Sequence, residues 1–170
     1  LYAIERELKN KFPNLALFPV LGNVCDEALV EDVFLKYNPQ IVFHAAAYKH
    51  VPMLEDQVRT AIVNNVLGTR VVSLSARRNK SEAFVMISTD KAVNPSNIMG
   101  MTKRVAEIYC QNLNKDSNTK FITVRFGNVL ASTGSVIPLF KEQIAQGGPV
   151  TVTHKDITRY FMTIPEASQL

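Results

Sequence analysis

Hydrophobic and polar positions follow two different spacings along this chain. Apolar residues recur at helical spacing in one set of segments and form short unbroken runs in another. Helices are predicted at residues 2–11, 26–37, 55–78, 97–114 and 137–148, and strands at residues 16–22, 40–47, 82–88, 120–128 and 149–154. Because strands alternate with helices, we predict an α/β fold, a Rossmann-type doubly wound parallel sheet.

One expected element of such a fold is missing. A dinucleotide-binding sheet has a glycine-rich turn after its first strand. The chain contains seven glycines, none in that spacing, and it begins directly in a predicted helix. We therefore expect a fragment, truncated at the N-terminus after that turn and the second strand. Without those strands the predicted strand at residues 16–22 cannot dock, so we expect the chain alone to be poorly stable and inactive.

Composition narrows the classes of partner. Of 170 residues, 46% are hydrophobic and 20% are charged, and the formal net charge is +4. The basic residues form no continuous stripe, and aromatic residues do not alternate with them, so we expect no nucleic acid partner. The positive charge is still compatible with binding of phosphorylated small molecules. No apolar run is long enough to span a membrane. Cys25 and Cys110 lack metal-ligand spacing, so no metal is predicted and free thiols are expected.

Three predicted strands end in small or polar residues, in the segments "HAAAYKH", "STDK" and "RFGN". Ligands in parallel sheets bind beyond the carboxyl ends of the strands, so the three segments are expected to converge on one crevice. Ala45, Ala46 and Ala47 would let a flat ligand approach the backbone, although helix–sheet packing also favours alanine. Lys49 and His50 add polar groups at the rim.

The second of these segments holds the main acid–base candidates. Thr89, Asp90 and Lys91 are consecutive at the end of a buried strand. Asp90 could act as an acid or a base, and Lys91 could act as a base if its pKa were lowered. The alternative is an ion pair on the surface of a loop.

Two further groups complete the candidates. Met99 and Lys103 are one helical turn apart, where Lys103 could hold a ribose hydroxyl; the alternative is a core methionine beside a surface lysine. Arg125 and Arg159 could bind phosphate through bidentate contacts, with Asn128 and residues 132–135 as further donors. Ordinary loop chemistry is the alternative for these.

Longer segments carry a resemblance to a known family. They are "HAAAYKHVPMLE", "NNVLGT", "STDKAVNPSNIMGMTKRVAE", "VRFGNVLASTGSVIPLF" and "DITRYFMTIPEA". In this order they resemble the nucleotide-sugar 4,6-dehydratases of bacterial capsule and glycan biosynthesis, extended short-chain dehydrogenases that act on UDP-N-acetylglucosamine. One branch of that family has a tyrosine four residues before the helix lysine, and the other has a methionine and retains the configuration at C5. Met99 matches the methionine branch.

The resemblance implies an NAD-dependent lyase. Hydride would pass from sugar C4 to NAD and back to C6, Lys91 would remove the C5 proton, and Asp90 would protonate the departing C6 hydroxyl. Thr89 or a bound water could accept the C4 hydroxyl proton, and Met99 would pack beside the sugar. The chain would then be a partial NAD-binding Rossmann domain over residues 1–170 with the start of the nucleotide-sugar-binding region.

The same resemblance assigns binding residues by position. The cofactor contacts would be Asn23, Val24, Ala45, Ala46, Lys49, Asn65 and Lys103, where Asn23 replaces the usual aspartate. The UDP-sugar contacts would be Asn128, Ser135, Val136 and Arg159. A homo-oligomer is implied, as is a cytoplasmic catalytic domain without membrane contact of its own, which in many such proteins is anchored to the inner membrane by another region.

Two rival functions stay open at this point. A nucleotide-sugar epimerase or reductase would use the same cofactor, but such enzymes normally need the tyrosine that Met99 replaces. A non-catalytic nucleotide-binding module would need no acid–base pair.

Overall fold

The computed structural model describes residues 1–130, 136–152 and 154–170. Its centre is a sheet of three parallel strands, β1 (Ile41–His44), β2 (Ala83–Thr89) and β3 (Lys120–Phe126), in the order β1-β2-β3. A second pair of parallel strands joins β4 (Asn128–Val129) to β5 (Phe161–Met162). The predicted Rossmann-type α/β fold with parallel strands is confirmed.

Helices connect and flank the strands. Before β1 come α1 (Tyr2–Lys11) and α2 (Glu27–Tyr37), and between β1 and β2 come α3 (Val51–Glu55), α4 (Val58–Ile62), a π-helical segment (Val63–Leu67) and α5 (Gly68–Arg78). A single turn of 3₁₀-helix (Asp90–Ala92) follows β2, and α6 (Ile98–Leu113) and another such turn (Asn114–Asp116) lead to β3. The chain ends with α7 (Val136–Ala145), β5 and α8 (Ile164–Ser168).

Side-chain caps fix where the two main flanking helices begin. The Asp26 carboxylate accepts a hydrogen bond from the Leu29 amide at 3.1 Å, and the Asn97 side chain accepts one from the Gly100 amide at 2.8 Å. These bonds satisfy amides that have no partner within the helix. The helices therefore begin close to the predicted residues 26 and 97.

The core lies on one face of the sheet. Phe84 and Met86 of β2 are fully buried, and they pack with Phe121 of β3 and with apolar residues of α2, α5 and α6. On the opposite face, neighbouring positions of the three strands are occupied by Phe43, Val85 and Ile122. Phe43 is exposed there, with 71% of its surface accessible to solvent. Within the described residues, the sheet is thus covered on one face, whereas the doubly wound sheet predicted from the sequence has helices on both faces.

Several predicted boundaries are wrong. Residues 16–22 form no strand, because no strand lies beside them to pair their backbone groups; Phe18 instead contacts the Tyr37 ring, with centroids 5.0 Å apart. The described part of residues 149–154 is also not a strand. β1 ends at His44 rather than at residue 47, and the predicted helix 55–78 is interrupted by a break at residues 56–57 and by the π-helical segment.

Candidate functional site

A cleft of about 660 Å³ opens at the carboxyl ends of the three main strands. Its walls come from the loop after β1, the ends of β2 and β3, the first turns of α6, and the β4–β5 and α7 region. The three segments predicted to converge do so here. Of the sequence-predicted site residues, those lining it are Ala45, Lys49, Thr89, Lys91, Met99, Lys103, Asn128, Val136 and Arg159.

The Thr89–Lys91 triplet forms a hydrogen-bonded unit at the end of β2. Lys91 Nζ donates to Asp90 Oδ1 at 2.9 Å and to Asn128 Oδ1 at 3.4 Å, and Thr89 Oγ1 donates to Asp90 Oδ1 at 2.8 Å. Lys91 and Thr89 line the cleft, and Asp90 is connected to it through them. Partial burial raises the pKa of Asp90, but the hydrogen bonds from Lys91 and Thr89 outweigh it, so the pKa lies below its usual value. The Asp90 carboxyl is therefore ionised in the ligand-free protein.

Helix α6 holds Met99 and Lys103 against this triplet. A Cβ at Gly100 would collide with the Lys91 carbonyl oxygen, so the absence of a side chain lets the first turn of α6 lie directly on the triplet's backbone. Glu55 of α3 fixes the same turn, accepting a hydrogen bond from the Ile98 amide at 2.8 Å. Met99 is 5% exposed and packs with Leu54 and Ala61 while lining the cleft.

Lys103 is a buried amine rather than a surface one. It is 5% exposed, and burial lowers the pKa of Lys103 to about 8, against the opposing effect of the Glu107 carboxylate one turn further along α6. The predicted alternative of a surface lysine is therefore wrong. An amine that lines a cleft and titrates near neutral pH can donate hydrogen bonds to a ligand's hydroxyl groups.

Asn65 occupies the π-helical segment and is fully buried. Its Oδ1 accepts from the Tyr48 amide at 2.8 Å and from Asn64 at 3.0 Å, and its Nδ2 donates to the Tyr48 carbonyl at 3.1 Å and to Thr102 Oγ1 at 3.0 Å. These bonds use both donors and both acceptor positions of the amide. Asn65 does not line the cleft in this structure; it fixes the loop after β1 to α6. Its predicted direct contact with a cofactor stays a prediction.

Arg125 does not face the cleft. Its guanidinium binds Glu107 through Nε at 2.8 Å and through Nη2, so it neutralises a buried carboxylate. Phosphate recognition by Arg125 is therefore wrong for this structure. Arg159 does line the cleft, is exposed, and has its Nη1 within 3.3 Å of the Thr158 carbonyl.

The remaining predicted contacts divide between the cleft and its surroundings. Val136 and Asn128 line the cleft, while Ala46 does not. Asn23 and Val24 also lie outside it: Asn23 Oδ1 accepts from the Cys25 amide at 2.9 Å, and Val24 packs against the core. Ser135 lies outside the described residues.

Sequence reasoning missed two kinds of site residue. Apolar side chains from the second half of the chain, among them Ile137, Phe140, Ile157 and Phe161, line the cleft, and nothing in their local sequence marks them. Glu107 was also missed, although a signal existed. It lies between Lys103 and Cys110 on the core-facing stripe of α6, where a charged residue needs a buried partner.

Comparison with known proteins assigns the family. Residues 1–170 match the family described as "Polysaccharide biosynthesis protein". The chain belongs to this family. It is 56% identical over 172 residues to the capsular polysaccharide biosynthesis protein CapD of Staphylococcus aureus, covering 100% of the chain and 29% of CapD. It is 37% identical over 169 residues to a protein named UDP-glucose 4-epimerase from Rickettsia canadensis, covering 98% of the chain and 49% of that protein.

Solved structures of similar proteins agree with the fold of this chain. Pen from Bacillus thuringiensis superposes with a TM-score of 0.90 at 34% identity, over 99% of this chain and 53% of Pen. DesIV (dTDP-glucose 4,6-dehydratase) from Streptomyces venezuelae, solved with NAD and TYD bound, shares the fold with a TM-score of 0.86 at 17% identity, over 97% of this chain and 56% of DesIV. The chain thus spans about 29% to 56% of these proteins. In the described ranges, none of the helices is both long enough and apolar enough to cross a membrane.

Proposed function

We propose that the protein carrying this chain is an NAD-dependent nucleotide-sugar 4,6-dehydratase that converts UDP-N-acetylglucosamine to a UDP-4-keto-6-deoxy sugar for polysaccharide biosynthesis. The observation that carries the proposal is the position of Lys91. Its amine lines the cleft, is bonded to the Asp90 carboxylate at 2.9 Å, and shares the cleft with Met99 rather than with a helix tyrosine. A carboxyl–amine pair at this place can supply both the acid and the base of an elimination.

The residues at one end of the cleft fit the nicotinamide riboside part of NAD. Ala45 and Ala47 leave the wall beyond β1 open to a flat ring, and the Lys103 amine, nearly enclosed by protein, still lines the cleft. Ala45 and Lys103 would hold the nicotinamide riboside end. NAD, when bound there, would accept hydride from C4 of the sugar and return it to C6.

The chain's own residues carry the proton steps. Elimination needs a neutral amine and a protonated carboxyl, whereas the Asp90 carboxyl is ionised in the ligand-free protein and accepts a hydrogen bond from the Lys91 amine. One proton moved from Lys91 Nζ to Asp90 Oδ1 along their 2.9 Å hydrogen bond gives that state without changing the net charge. A bound sugar that excludes water favours this neutral form, because desolvation disfavours charge on both partners.

The two groups then act in sequence on the oxidised sugar. Lys91 removes the C5 proton, which the 4-ketone acidifies. Asp90, which reaches the cleft through its hydrogen bond with Thr89, supplies the proton to the C6 oxygen as it leaves as water. The pair is then ionised again. Lys91 returns its proton to C5 from the same face, which retains the configuration. The C4 hydroxyl proton, released earlier in the oxidation, would pass by way of Thr89 or a bound water to solvent, and Asp90 regains a proton from solvent after the elimination, so protons balance over the cycle.

The test uses the intact protein with UDP-N-acetylglucosamine deuterated at C4. NMR should detect a 4-keto-6-deoxy product with the deuterium at C6. Asp90→Asn should abolish turnover while leaving nucleotide binding intact, and the control Asp32→Asn, an exposed residue of α2, should behave as the unaltered protein. A protein without this product, or an Asp90→Asn variant with full turnover, would contradict the proposal.

A second candidate function is supported by relatives that are named as epimerases. The Rickettsia canadensis relative named UDP-glucose 4-epimerase shares 37% identity with 98% of the chain. An epimerase would return the hydrogen to C4 on the other face, so the product would keep its C6 hydroxyl. The same labelling experiment separates the two, because an epimerase product would carry deuterium at C4. A non-catalytic module would give neither product and would be indifferent to Asp90→Asn.

A further inference from the structure

We propose that Glu107 is a positioning residue of the candidate site: one buried carboxylate holds the ends of β2 and β3 against α6 and supplies the negative charge beside Lys103. The inference deepens the proposed function and rests on it for the role of Lys103. It adds a residue to which neither the sequence reasoning nor the resemblance gave a role.

The Glu107 side chain is fully buried and is held by three other side chains. Ser88 Oγ donates to Oε1 at 2.6 Å, Arg125 donates to Oε1 through Nε at 2.8 Å and to Oε2 through Nη2, and Arg104 Nη1 donates to Oε2 at 3.1 Å. Burial raises the pKa of Glu107, but the bonds from Arg125, Ser88 and Arg104 outweigh it and hold the pKa below its usual value. The group is therefore an anion inside the protein.

These bonds reach both strand ends that carry the candidate chemistry. Ser88 directly precedes Thr89 and pairs in register with Arg125 across the β2–β3 ladder. Arg125 lies two residues before Gly127 and three before Asn128, both of which line the cleft. A carboxylate bound to Ser88 and Arg125 thus fixes the separation of the strand ends, on which the contact between Lys91 and Asn128 depends.

Glu107 is also one helical turn from Lys103, on the same face of α6. Three titratable groups interact electrostatically with Lys103: Glu107 and Cys110 from α6, and His44 from β1. A further amine, Lys91 of the triplet, lines the same cleft. Burial keeps the pKa of His44 at about 4 and raises the pKa of Cys110 to about 12, so both are neutral near pH 8. Glu107 is the anion among them, and its charge favours the protonated form of Lys103.

The test measures the affinity of the intact protein for NAD by calorimetry from pH 6.5 to 10. In the unaltered protein the affinity should fall above about pH 8, as Lys103 loses its proton. Two variants are compared with it: Glu107→Gln, and the double variant Glu107→Gln with Arg125→Met, which leaves no unpaired buried charge if the single variant fails to fold. The matched control is Glu31→Gln, which removes a carboxylate bound to Ser75, Asn79 and Arg78.

Both Glu107 variants should begin to lose affinity about one pH unit lower, because a neighbouring anion has been removed from a buried cation. Glu31→Gln should follow the unaltered protein. An unchanged pH dependence in the double variant would overturn the proposal and leave Glu107 a structural residue. If the unaltered protein binds no NAD, the proposed function fails instead. NMR titration of ¹³C-labelled Lys103 then tests Glu107 independently: the Lys103 titration midpoint should be lower in the double variant than in the unaltered protein, and an equal midpoint would overturn the proposal.

Discussion

His44 gives the sharpest prediction about stability. It ends β1, is 3% exposed, and its ring stacks on Phe84 with centroids 5.7 Å apart. The Thr69 hydroxyl donates its proton to the Asn65 carbonyl at 2.6 Å, so the 2.9 Å contact with His44 requires the histidine to donate from Nε2. We expect His44→Gln, which cannot titrate in this range, to remove most of the acid sensitivity of folding above pH 4.

The magnitude follows from the two pKa values of His44. Burial, assisted by the charge of Lys103, lowers the pKa to about 4 in the folded protein, from an ordinary 6.5. Between these values the unfolded chain binds a proton that the folded chain does not, so the free energy of unfolding falls as the pH is lowered. The loss is about 1.4 kcal/mol per pH unit and about 3 kcal/mol in total, and it is absent above pH 6.5.

The assay is urea denaturation of the intact protein at half-unit steps from pH 7.5 to 4.5. The difference in unfolding free energy between the unaltered protein and His44→Gln should change by about 2.5 kcal/mol across this range, which ends just above the folded pKa. Asp90 and Glu107, whose pKa values are lowered, contribute a loss only at more acid pH, where unfolded carboxylates protonate. The exposed His154→Gln is the control. A difference that stays constant with pH would refute the reasoning.

Three further predictions follow from contacts around the cleft. Gly100→Ala should lower turnover at least tenfold, because its Cβ would collide with the Lys91 carbonyl and lie 3.2 Å from Pro95 Cβ; unchanged steady-state kinetics would contradict this. Asn65→Ala should lower the free energy of unfolding by about 1–3 kcal/mol and weaken NAD binding, since it leaves Tyr48 and Thr102 without their amide partner; denaturation and calorimetry measure both. Residues 1–170 expressed alone should melt without cooperativity, because Phe43 on the open face of the sheet is 71% exposed and residues 16–22 have no strand to pair with; a sharp calorimetric transition would show that expectation to be wrong.

The predictable parts of the molecule are those that local sequence determines. β2 and α6 were predicted within a residue or two, because an apolar run and an amphipathic stripe after a capping Asn97 are local signals. The convergence of three strand ends followed from the parallel topology alone. Residues 16–22 carry a similar apolar run, yet they form no strand, because a strand also needs a neighbour to pair with.

Contacts between distant elements could not be read from the sequence. The β4–β5 pair joins two-residue strands that lie more than thirty residues apart, too short for any periodicity. Arg125 looked like a phosphate ligand because its partner Glu107 belongs to another element, and an ion pair across elements leaves no mark on local spacing. The partners of Asn65 are likewise not marked in the local sequence. Its four side-chain hydrogen bonds fix the loop after β1 in the structure.

Met99 connects the fold to the chemistry. Its side chain packs with Leu54 and Ala61, so it anchors the first turn of α6 to α3 and α4, the helices that follow the cleft-lining loop after β1. A thioether in that position can neither accept nor release a proton at neutral pH, and in the proposed function Lys103 holds the cofactor. The proposed reaction therefore assigns proton transfer to the strand-end groups. Asp90 and Lys91, already joined by a 2.9 Å hydrogen bond, can exchange a proton without moving. If a sugar is dehydrated in this cleft, the reaction depends on how completely that sugar removes water from their pair.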